Sequence, residues 1–164
     1  MTPIARRTVK RVTPRHMPAR RPTCLPLTNP PLGILSVSAT TEDHTALRQS
    51  VSGMGCWLQT AESCQSALER LNHGRISIVV CERDLPDGTW RDILERLASC
   101  PGRPFLIVTS RVADEWLWAE VLNLGGYDVL AKPFDAKETR HVLETAYLGR
   151  FDRSRRTHAG GIGN

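Results

Sequence analysis

The stretch Ile76-Ser77-Ile78-Val79-Val80-Cys81-Glu82-Arg83-Asp84-Leu85-Pro86-Asp87-Gly88 decides the fold. Its first six residues are apolar at almost every position, as in a strand buried on both faces rather than one with a wet side. Its acidic end with Pro and Gly is turn chemistry. On either side the pattern repeats. Short β-branched or apolar runs at 34–38, 56–61, 104–109 and 128–131 alternate with helical spacing at 41–53, 63–73, 89–100, 114–124 and from 136 onward. Thr41 is the expected cap of the first helix, and Asp135 with Glu138 forms a capping-box-like pair for the last.

Five strands alternating with five helices in about 117 residues predict an α/β fold. The expected architecture is a doubly wound five-stranded parallel sheet of flavodoxin-like order 2-1-3-4-5, (βα)5. In such sheets ligands gather at the carboxyl ends of the strands, near the point where the strand order reverses. No G-x-G-x-x-G and no G-x-x-x-x-G-K-[ST] is present, so neither standard nucleotide cradle is expected.

The 164 residues carry a net charge of +5, but the charge is partitioned. Residues 1–32 hold seven Lys and Arg, seven Pro and no acidic residue, and read as a disordered basic tail. Residues 150–164 hold four Arg against one Asp and finish in Gly160, Gly161 and Gly163, a second flexible basic tail. Residues 33–149 hold 11 Lys and Arg against 16 Asp and Glu, so the folded part is acidic. The tails make nucleic acid a conceivable partner through phosphate contacts, though with Phe151 alone to stack on bases they would hardly read sequence. No apolar run approaches a membrane span and no secretory h-region opens the chain, so no membrane partner and a cytoplasmic location are expected. Five cysteines without a Cys-x-x-Cys pair read as reduced, mostly buried thiols, with Cys81 the one nearest the acidic turn.

Three segments together, 79–88, Ile107-Val108-Thr109-Ser110 and Asp128-Val129-Leu130-Ala131-Lys132-Pro133-Phe134, resemble the receiver domain of two-component response regulators, including the chemotaxis regulators. The resemblance implies a phosphoacceptor at the end of the third strand, two metal-holding acids after the first, a Thr or Ser after the fourth and a Lys after the fifth. In this chain those places fall on Glu82, on Ser38 and Ala39, on Thr109 and on Lys132. The acid pair is thus replaced by Ser38 and Ala39, while Glu42 and Asp43 stand later, where a carboxylate would simply complement a helix dipole. Magnesium needs a set of hard oxygen ligands, so Mg²⁺ binding is expected to be lost and no cofactor is expected. Glu82 is one methylene longer than Asp, which displaces the attacking oxygen in a transfer that depends on positioning. Glu82 should instead pair with Lys132, with Thr109 or Ser110 in hydrogen-bond reach. That pair is either a built-in mimic of the phosphorylated state or an ion pair that only supports the fold.

The expected function is a stand-alone receiver-like module of phosphorelay signalling that acts by protein contact, is not an enzyme and works without phosphorylation. The alternatives are a phosphorylatable regulator with an unusual acceptor and a nucleic-acid-binding adaptor using the tails. Partners implied are a histidine kinase or a downstream effector, with a homodimer through the fourth helix, fifth strand and fifth helix also possible. After the fifth helix only a short stretch remains, so the output is expected to be another protein. Trp116, Trp118, Leu122 and Val129 are the candidate contact residues, one Trp being expected to pack along the helix edge. Val129 stands three before the Lys, where the family often has an aromatic switch. His44 reads as a lone exposed histidine at a helix start.

Overall fold

The computed structural model describes residues 31–159. Residues 1–30 of the tail expected at 1–32, and residues 160–164 with their three glycines, lie outside the described residues. The chain runs β1 (Gly33–Val37), α1 (Thr41–Ser50), β2 (Trp57–Ala61), α2 (Cys64–His73), β3 (Ile78–Glu82), β4 (Asp84–Leu85), β5 (Gly88–Thr89), α3 (Trp90–Leu97), β6 (Phe105–Ser110), α4 (Glu115–Leu124), β7 (Asp128–Ala131) and α5 (Ala136–Ala159). Five strands form one parallel sheet in the order β2-β1-β3-β6-β7. Because the two-residue strands β4 and β5 take two labels, this is the expected order 2-1-3-4-5.

Strand alternation divides the core into two layers. Leu35, Val37, Val79, Cys81, Leu106 and Val108 pack with α2, α3 and α4 on one face. Ile34, Ile78, Val80, Ile107 and Leu130 pack with Leu47 of α1 and Leu143 of α5 on the other. β3 is buried from Ile78 through Cys81, as its continuous apolar run predicts. The register aligns Ile34 with Ile78, Ile78 with Phe105, and Glu82 with Thr109, which brings the carboxyl ends of β1, β3 and β6 level.

Several local expectations are corrected. The folded part begins earlier than residue 33, because Leu32 is buried in the second layer and its carbonyl accepts from Trp57 N at 3.0 Å. The stretch from residue 150 is not a flexible tail up to Ala159; it continues α5. Arg150 Nη1 donates to Ser77 O at 2.8 Å, Phe151 meets Tyr147 edge-on at 4.9 Å, and the Arg153 guanidinium lies 4.5 Å over the Phe105 ring. The two arginines tie the extension to Ser77 before β3 and to Phe105 at the start of β6, an attraction its Arg-rich composition hides. The α1 cap is Thr40 rather than Thr41. Gly125 ends α4 in the left-handed region at φ 105°, where a side chain would be strained.

The turn after β3 folds into a hairpin, with Asp84 paired to Thr89 and Leu85 to Gly88. Asp87, in the acidic end read as turn chemistry, caps α2. Its carboxylate accepts Cys64 N at 2.7 Å and Gln65 N at 3.0 Å, while Ser63 takes Ser66 N. Three of the helix's four unpaired first-turn donors are thereby satisfied. The caps of α3 are Thr89 and Asp92. Cys81 is fully buried, and burial followed by the nearby Cys64 and Glu82 pushes its thiol far up, which leaves it inert.

The N–H bonds from Gln65 and then Cys64 hold the Asp87 carboxyl below its ordinary 3.8. Its contribution to stability is therefore present above that value and is lost as the pH falls through the lower folded one. Urea unfolding of Asp87→Ala at neutral pH should show a loss of about 1 kcal/mol relative to wild type. The difference should shrink in acid.

Candidate functional site

The alternation that sorts the core also builds the site. Ser38, Glu82 and Lys132 each stand two residues beyond a side chain of the α1/α5 layer or its face: Ser36, Val80 and Leu130. All three therefore project from the carboxyl ends of β1, β3 and β7 toward α1. Thr109 shares this parity on β6, opposite Glu82, and is buried.

Lys132 reaches across the sheet to Glu82. Its Nζ donates to Glu82 Oε1 at 2.7 Å and to Asp43 Oδ2 at 2.7 Å. The Lys132 side chain is only 6% exposed, against 17% for Asp43 and 23% for Glu82. Burial lowers the Lys132 pKa, but hydrogen bonds and Coulombic attraction from Asp43 and Glu82 together outweigh it and hold the ammonium above its ordinary 10.5. Ser38 closes the cluster. Its hydroxyl oxygen lies 2.8 Å from Glu82 Oε2 and 2.7 Å from Asp43 Oδ2, and accepts Thr40 N at 3.1 Å.

Asp43 corrects the expectation that it would serve only the helix dipole. It is the third residue of α1, and side chains in a first turn tilt back toward the helix start. The carboxylate thus returns over the end of β1, to Ser38 and Lys132. The spacing was visible in the sequence: a carboxylate at the third helical position behind an N-cap points at the preceding strand end. The hydroxyl partner of Glu82 is Ser38, where Thr109 or Ser110 was expected. Ser110 Oγ instead bonds the backbone of Val112. Ala39 is exposed and adds no ligand.

Beneath the cluster His44 is buried, not exposed, because α1 turns it against β1, where Nδ1 meets Ser36 Oγ at 2.8 Å. Two carboxylates face Lys132, and among the described residues no group of three or more His, Cys, Asp or Glu is arranged to hold a metal.

On α4, Leu117 and Val121 point into the core, leaving Trp116 84% and Trp118 50% exposed. Trp118 is half covered and lies toward β7, its Nε1 donating to Asp128 Oδ1 at 3.2 Å, whereas Trp116 is mostly exposed. Leu122 and Val129 are half-buried, Val129 against the first core layer. Trp118, Val129 and Ala131 line a shallow hollow edged by Asp114, Glu115 and Glu138.

Comparison with known proteins agrees with this geometry. The chain is 34% identical over 102 residues to the "Probable transcriptional regulatory protein TcrX" of Mycobacterium tuberculosis, a match covering 59% of this chain and 43% of that one. The chain thus spans less than half the length of that relative. The signal receiver domain of an HD domain-containing protein from Pseudomonas fluorescens superimposes with a TM-score of 0.70 at 24% identity, covering 78% of this chain and 95% of that one. The chemotaxis response regulator CheY4 of Vibrio cholerae gives 0.64 at 15% identity, covering 71% and 99%. The family model for the response regulator receiver domain matches residues 34–144, and with the strand order and the strand-end cluster already in place, the chain belongs to that family.

Proposed function

We propose that this chain is a receiver module of two-component signalling whose site is set by its own side chains and does not require phosphorylation or Mg²⁺. The observation that carries this reading is Lys132 Nζ at 2.7 Å from both Glu82 and Asp43. An incoming phosphoryl group would have to displace two carboxylates from the one ammonium that would otherwise receive it. Glu82 Oε1 is engaged by Lys132 and Oε2 faces Ser38, so an in-line attack from either oxygen would compete with one of these contacts. Glu82 acts as a standing substitute for the phosphorylated acceptor, holding Lys132 as the modified state would.

Such a module transmits by contact, in the cytoplasm, to a histidine kinase or a downstream effector. Trp116 and Trp118 are the anchors of that contact, since exposed Trp is an unusual surface residue and a frequent source of binding energy. A second copy is another occupant of the same α4 and β7 face.

Incubating the protein with a small acyl-phosphate donor and Mg²⁺, then measuring intact mass, should leave the mass unchanged. A stable adduct one phosphoryl group heavier would overturn the reading. Lys132→Met leaves two carboxylates facing each other and should cost about 3 kcal/mol in urea unfolding at neutral pH. The Lys132 contribution is fully present below pH 10.5 and is lost as the pH rises through the higher folded value. The gap between wild type and variant should accordingly narrow in strong base.

A further inference from the structure

A groove of about 540 Å³ lies between α3 and α4 and reaches the start of β6, the end of the sheet opposite Lys132. Leu94, Leu97, Phe105 and Leu124 contribute its apolar lining, and Leu124 is 54% exposed. Its charged lining is Arg91, Arg103 and Arg153 against Glu95 alone. This excess of guanidinium, two arginines from the acidic 33–149 stretch and one from the α5 extension, sets the groove apart from that stretch's overall balance.

The three arginines are not equivalent. Arg91 is bonded to Glu120 on α4, and Arg153 lies over Phe105. Arg103 has no carboxylate partner among the described residues. Its backbone sits at φ 40°, in the left-handed region, directly after Gly102 at φ 76°. Glycine occupies that region without penalty, whereas a residue with a side chain is strained there. The strained turn is braced, with Arg103 N donating to Cys100 O at 3.1 Å and Arg150 of the α5 extension reaching Arg103 O at 3.4 Å. A strained, braced and unpaired arginine at the edge of an apolar groove is the arrangement of a recognition residue.

We propose that this groove docks a short segment of a partner protein in which Leu or Phe side chains are flanked by Asp or Glu. The apolar side chains would cover Leu94 and Leu124, and an acidic group would pair with Arg103. A small molecule is the weaker fit, because a groove this open would leave most of it in water. Nucleic acid would satisfy the arginines but leave the leucines uncovered. A peptide needs only one of its faces buried.

The test selects displayed random peptides of about 12 residues on the full-length protein and maps the best synthetic peptide by amide chemical shifts. Enrichment of acidic and apolar residues, with shifts at Leu94, Arg103 and Leu124, supports the proposal. Arg103→Glu should weaken that peptide about tenfold or more, while Arg70→Glu, an equal charge change on α2, should not. Arg103→Gly separates recognition from folding, since it should raise stability by relieving the left-handed strain and still lose affinity. The proposal is overturned by selected peptides lacking acids, by equal binding to Arg103→Glu, or by shifts confined to residues 1–30. Displacement of the peptide by a single-stranded oligonucleotide, or burial of Leu124 by self-association of the protein, would overturn it too.

Discussion

One ammonium holds the upper end of this molecule together. Lys132 leaves the edge strand β7, crosses β6 and meets carboxylates from β3 and α1 almost out of reach of water. Strand order makes this possible: β1, β3, β6 and β7 lie side by side, and period-two alternation aims Ser38, Glu82 and Lys132 at the same helix. The parallel sheet supplies position, while the charges supply the reason for the strand ends to stay together. With two carboxylates to one ammonium the cluster keeps an excess negative charge, and the Ser38 hydroxyl, with a single proton between two acceptors, disperses part of it.

The sheet was legible in the sequence because burial on both faces leaves a mark that composition cannot hide. The continuous apolar run of β3 and the glycine and capping punctuation fix element order without any knowledge of contacts. Glu82 and Lys132 were legible as well, since each ends a strand. Asp43 was hidden by a convention of reading: a carboxylate in a first turn is ordinarily assigned to the helix dipole, and only the back-tilt of the side chain reveals that it serves the strand before it. Asp87 was hidden differently. Its partners lie more than 20 residues away on α2, a distance over which local turn rules say nothing.

The continuation of α5 shows the limit of composition most plainly. Four arginines, a single acid and terminal glycines describe a solvated tail, and helix propensity alone would not have held it. What holds it is tertiary: the Ser77 carbonyl before β3, which accepts from Arg150 as well as from Phe105 N, and the aromatic ring of Phe105. Both ends of the sheet are therefore finished by long cationic side chains that leave their own element to satisfy another. Lys132 does this at the carboxyl end and Arg150 at the amino end.

The hairpin between β3 and α3 bears on how such chains are recognised. The Leu85-Pro86-Asp87-Gly88 turn carries no reacting atom; its acid closes the first turn of α2, and its glycine sits where an added side-chain carbon would strike Asp92. This chain uses that turn for its own assembly, whether or not a phosphate ever reaches the strand end. The most recognisable signature of the sequence is thus a record of how the molecule is built. The residues that decide its chemistry sit in the plainer text on either side.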